Sequence, residues 1–132
     1  MRTLTLIVLL LSALSFIGFG LVLTAHPIEI LAMTDVHVSG PIADTEIRAF
    51  YGGLELALGG LILAWTVAPS RRRDALLLTA VSYGGIGLTR LGSMLVTGDQ
   101  SSFLMFAVAT ELGFLIIATL LYRHTPASQS GR

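Results

Sequence analysis

The sequence contains no cysteine and no lysine, and only 12% of its 132 residues are charged. Without cysteine there is no disulfide, no thiolate metal site and no cysteine nucleophile, and the redox state of the compartment leaves no mark. Without lysine, every basic residue is an arginine, and most of these stand at the ends of apolar segments. No basic patch is left for nucleic acid. Tryptophan occurs once, and proline four times, with Pro27, Pro41 and Pro69 each beside a segment boundary.

What abounds is hydrocarbon. Hydrophobic residues make up 54% of the chain and the mean hydropathy is +0.83, values of a membrane protein rather than a soluble domain. A chain this short forms one domain, and the membrane supplies most of its burial.

The first apolar run, residues 3–25, carries no charge after Arg2 and matches the ~20 residues that cross ~30 Å of hydrocarbon. Read as a cleaved signal peptide, it is too long for a hydrophobic core of about 7–15 residues, and Leu23 suits a cleavage site poorly. His26-Pro27 ends the helix, since the residue before proline is pushed out of the helical region. Residues 28–40 mix apolar and polar types and read as a loop with a short interfacial helix. Pro41 restarts the chain where its missing N–H costs nothing, and Asp44 and Glu46 fall at the dipole end that favours acids.

The second span, 42–68, ends with Trp65 at the depth of an aromatic belt, and Pro69-Ser70-Arg71-Arg72-Arg73-Asp74 forms a tight turn. Three arginines in a short loop mark the cytoplasmic side. The third span covers 75–96, the fourth 102–122, and residues 125–132 form a flexible polar tail. Arg2, Arg71, Arg72, Arg73, Arg123 and Arg132 fall on one side, and Glu29, Asp35, Asp44 and Asp99 on the other. The fold class expected is therefore all-α: an integral membrane four-helix bundle, up-and-down, with short loops and both termini cytoplasmic.

Charges inside these spans are the strongest functional signal, because each costs ~2.5–3.5 kcal/mol near the bilayer centre. Counting at 1.5 Å per residue from the cytoplasmic ends puts Glu55 about 20 Å, Arg90 about 24 Å and Glu111 about 18 Å deep, one common level in the outer half. Arginine suits a bridge between two carboxylates, since its planar fork donates to both and keeps its proton. The sequence therefore predicts Arg90 between Glu55 and Glu111, and Arg48 paired with Glu46 nearer the outer surface. At i and i+7, Arg48 and Glu55 share a helix face with Tyr51 between them. These polar residues read either as a ligand-binding network or as a lock on helix register.

Glycines form the second pattern. Gly52, Gly53, Gly59 and Gly60 in the second span, and Gly84, Gly85, Gly87 and Gly92 in the third, are the small residues through which membrane helices approach closely. Spans two and three are expected to pack on one another, and such stripes also suit a second copy of the chain. Gly84-Gly85-Ile86-Gly87 is no nucleotide loop, because it lies within a span and follows no strand. His26, His37 and His124 lack metal-ligand spacing, so neither a metal nor another cofactor is expected.

The run Glu46-Ile47-Arg48-Ala49-Phe50-Tyr51-Gly52-Gly53, the pair Gly59-Gly60, the run Arg90-Leu91-Gly92-Ser93 followed by Gly98-Asp99, and Glu111 together resemble an uncharacterised bacterial family of four-span membrane proteins, domain of unknown function 4345. The likeness covers nearly the whole chain, although family members often place the acid before the glycine where this chain has Gly98-Asp99. It implies the four-helix fold, singles out Glu46, Arg48, Glu55, Arg90 and Glu111, and points to the bacterial inner membrane. It brings no activity.

Two functions fit. One is a binding or accessory protein whose partners are the bilayer and a lipophilic small molecule, a lipid headgroup or the helix of a partner membrane protein. The other is a small membrane enzyme or proton-coupled transporter using Glu55 and Glu111 tuned by Arg90. Four short spans without inverted repeats or broken helices favour the first.

Overall fold

The computed structural model describes residues 2–126, so most of the polar tail and Arg132 lie outside the described residues. Helix α1 spans Arg2–Ala25, and a short helix α2, Pro27–Ala32, follows the break at His26. Helix α3 spans Pro41–Val67 and begins at Pro41 after Gly40. A single 3₁₀ turn, Pro69–Arg71, leads into α4, Arg72–Thr97, and α5 spans Ser102–His124. The four long helices are each long and apolar enough to cross a membrane, and they form an all-α bundle. Their bounds lie within three residues of those read from hydropathy and proline. The outer faces are greasy: Leu14, Val81 and Ile116 are all exposed, as lipid rather than water requires.

Local chemistry fixes the ends. Gly98 adopts φ +73° and its N–H closes on the Met94 carbonyl at 2.9 Å, so α4 stops on a left-handed cap that favours glycine. Asp99 then accepts from the Ser101 N–H at 2.9 Å, and Ser101 caps the first turn of α5 through the Leu104 N–H. Glycine before the acid is thus the order this turn needs.

At the opposite end the three arginines tie the helices together. Arg71 lies 4.8 Å from the Trp65 ring of α3, Arg72 donates to the Thr66 carbonyl at 2.9 Å, and Arg73 lies 4.0 Å from the Tyr122 ring of α5. Each bond or ring contact offsets the cost of holding guanidinium at the membrane boundary.

Helix pairing departs from expectation. The glycines of α3 face α1, not α4: a Cβ at Gly59 would stand 2.8 Å from Ile17 N and 2.9 Å from the Ala13 carbonyl oxygen, and one at Gly52 would stand 3.0 Å from Thr24 N. Gly20 of α1 completes this seam, since its Cβ would meet Leu56 N at 2.8 Å. Gly84 and Gly87 of α4 face α5, against Leu115 and Glu111, while Gly60 and Gly85 have nothing within 4 Å and Gly53 only the Arg48 carbonyl at 3.6 Å. A small-residue stripe declares that some neighbour comes close, without saying which.

The bundle is therefore two tight pairs, α1 with α3 and α4 with α5. What joins the pairs is an apolar core of Leu9, Ala13 and Phe16 of α1, Ile62 of α3, Leu76, Ala80 and Tyr83 of α4, and Ala118 and Leu121 of α5. All of these lie in the half nearer the arginine turn. In the other half, cavities open between the pairs.

Candidate functional site

One departure from α-geometry shapes this open half. Residues Ile47–Gly53 of α3 form a π-helix, running into Gly52-Gly53. Its hydrogen bonds reach one residue further than those of an α-helix, so the chain after it is rotated by about 100° relative to a regular helix. Arg48, Tyr51 and Glu55, expected on one face, are dealt to three surroundings: the end of α1, an open groove and a cavity.

Arg48 takes Asp44 as its partner, not Glu46. Its Nε donates to Asp44 Oδ2 at 2.8 Å and Nη2 to Oδ1 at 3.3 Å, the favourable i,i+4 spacing that the sequence already carried. Its Nη1 donates to the carbonyl of Thr24 and, at 3.3 Å, to that of Ala25. The guanidinium thus satisfies the last carbonyls of α1, the negative end of that helix dipole. Glu46 is exposed and has no ion pair among the described residues. Arg48→Ala is expected to destabilise the protein by about 1 kcal/mol, with faster hydrogen exchange in residues 20–33 and no change in α5.

Arg90 and Glu111 do meet. Arg90 Nε donates to Oε2 at 3.0 Å and to Oε1 at 3.1 Å, and Nη2 donates to Oε1 at 2.8 Å. Glu111 is buried, whereas the Arg90 side chain keeps 30% of its surface exposed, so the pair is partly rather than wholly buried. Gly87, one turn before Arg90, makes the approach fit, because a Cβ there would come within 2.9 Å of Glu111 Cβ. Sequence reasoning grouped Gly87 with general packing; its three-residue spacing from Arg90 was the available clue.

Glu55 reaches the same place without joining the pair. It lines, with Arg90 and Glu111, one cavity of about 220 Å³ between the two helix pairs, but makes no hydrogen bond to either. Its Oε2 is shielded and has no hydrogen-bond partner among the described residues. The rest of the lining is mainly apolar and aromatic, with hydroxyls from Ser15, Tyr83 and Thr110 among it. Phe16 and Tyr83 are buried, with ring centroids 4.9 Å apart, and Tyr83 stacks on Phe114 at 4.5 Å, so the floor is rigid. Phe19, Phe103 and Phe106 are exposed on the outside of the bundle and form a rim. The exposed phenylalanines of the lining come from α1 and α5.

Beyond Arg90 lies a second, shallower space of about 550 Å³. Tyr51 walls it on the α3 side, and Ile86, Thr89, Arg90 and Ser93 of α4 and Leu104 of α5 are among the rest. Ile86 and Arg90 line both the groove and the cavity.

An integral membrane bundle with a polar set held between two helix pairs is the class that these features define. The chain belongs to the family described as domain of unknown function (DUF4345), whose model matches residues 4–122. No curated protein and no solved structure matches it.

Proposed function

We propose that this protein is a binding or accessory protein of the bacterial inner membrane, with the arginine turn and both termini in the cytoplasm, and that its cavity takes the polar end of a lipophilic molecule. The observation that carries this reading is the union of Glu55, Arg90 and Glu111 in one cavity whose lining is otherwise mainly apolar and aromatic. A ligand reaching it from the bilayer would pass Phe19, Phe103 and Phe106, and leave its tail in hydrocarbon. The sidedness rests on the arginines of the turn, which resist translocation.

The phenylalanines Phe19, Phe103 and Phe106 of the lining favour a lipophilic ligand, while the hydroxyls of Ser15, Tyr83 and Thr110 are the groups a proton path would need. Ala107 lines the cavity from α5, and Ala107→Phe is the test. After purification in mild detergent, mass spectrometry is expected to find a co-purifying lipophile on the native chain and not on Ala107→Phe, at similar thermal stability. Equal recovery from both would refute the assignment.

A further inference from the structure

The cavity carries an imbalance that says what kind of polar group it takes. One guanidinium faces two carboxyl groups, Arg90 against Glu55 and Glu111, so ionisation of both leaves a single negative charge. Glu111 is spent on Arg90 Nε and Nη2, so the carboxyl group without a partner is Glu55, whose shielded Oε2 accepts no hydrogen bond among the described residues. Tyr83 is the other titratable group lining the cavity, and α1 contributes only Ser15 and rings. A carboxylate held among hydrocarbon needs a donor and a positive charge. An alcohol supplies only the donor, and an acid would add a second like charge.

The aromatic lining points the same way by an independent route. Phe16, Phe19, Tyr83, Phe103 and Phe106 line the same cavity as Glu55. Ring faces carry negative potential and attract a desolvated cation, which is how aromatic cages hold ammonium groups. We infer that the cavity binds the ammonium headgroup of an amphiphile, with the nitrogen on Glu55 and among these rings, and the tail leaving between α1 and α5. This rests on the cavity being a binding site, as proposed above. The ammonium has two sources: an aminophospholipid, whose phosphate would lie toward Arg90 Nη1, which makes no hydrogen bond among the described residues, or a simple lipophilic amine.

The test uses three probes of equal tail length, dodecylamine, dodecanol and dodecanoic acid, titrated onto the full chain in detergent and read by native mass spectrometry. Dodecylamine is expected to bind at least about tenfold more tightly than the alcohol, the effect of one charge-assisted contact. Glu55→Gln should abolish that preference while keeping alcohol binding, which also reports that the variant is folded. Phe19→Leu, which removes a ring from the exposed rim, should weaken the preference by several-fold.

If alcohol or acid binds as well as the amine, or if Glu55→Gln keeps the preference, the ammonium assignment is wrong and the cavity reading stands. If no probe binds, both fall. Nanodiscs of mixed phosphatidylethanolamine and phosphatidylglycerol separate the sources. Enrichment of phosphatidylethanolamine on the native chain but not on Glu55→Gln assigns the lipid, and its absence alongside tight dodecylamine binding assigns the free amine.

Discussion

Glu111→Ala is expected to lower the stability of the protein by about 2 kcal/mol, less than for a wholly buried ion pair because Arg90 keeps 30% of its side-chain surface exposed. The size comes from the charge left behind rather than from the bond lost. Arg90 would keep its proton while its carboxylate contacts disappear, and a lone guanidinium, which costs ~2.5–3.5 kcal/mol at the bilayer centre, costs less at the outer level of Arg90. Glu111→Gln should cost less, since the amide oxygen still accepts from Arg90. The double replacement Arg90→Met with Glu111→Leu should restore most of the stability, because apolar residues of similar volume replace paired charges at little cost. Unfolding in mixed micelles with increasing sodium dodecyl sulfate measures all three. If the double variant is as unstable as Glu111→Ala, the loss comes from the interaction removed and not from a stranded charge. A double variant that is stable but retains no lipophile would separate a structural role of the pair from its role in the cavity.

Gly59→Ala is expected to cost about 2 kcal/mol, whereas Gly60→Ala, one residue along the same helix, should cost nothing. At Gly59 the new methyl would meet the backbone of α1 at Ile17 N and the Ala13 carbonyl, and backbone does not step aside as a flexible side chain would. The two helices must separate, which loosens the seam from Ala13 to Thr24. At Gly60 nothing lies within 4 Å, so the methyl enters open space and gains helix propensity. The same unfolding titration distinguishes them. Equal stability of the two variants would contradict the close approach of α1 and α3.

The spans were legible because length, hydropathy and proline all act within one segment: Pro27, Pro41 and Pro69 mark boundaries wherever the helices end up. The meeting of Arg90 with Glu111 was legible for a related reason, since depth in a bilayer can be counted along each helix separately. What one segment cannot encode is its neighbour. Gly52 and Gly59 announce a close approach, but α1 and α4 are equally reachable from α3 in an up-and-down bundle, and the choice depends on side chains across the seam such as Ile17 and Thr24.

The π-helix at Ile47–Gly53 was hidden for another reason. Reading a helical face assumes 3.6 residues per turn, and one wider turn leaves no compositional trace beyond Gly52-Gly53. From that single turn follow two errors, the shared face of Arg48 and Glu55 and the bridge from Arg90 to both carboxylates. The Arg48 pairing failed differently. Asp44 stood at the favoured four-residue spacing and was assigned to the helix dipole instead.

Because the two helix pairs are bound by their core only near the arginine turn, the gap between their far ends must be occupied by something in a membrane, where an empty void forfeits dispersion contacts on every wall. Acyl chains from the surrounding leaflet are the material at hand. Were they to fill it, tail length and saturation would become structural variables of the chain, as a prosthetic group would be elsewhere. Its folding free energy is then a property of protein and solvent jointly, with one value in a bilayer and another in each detergent.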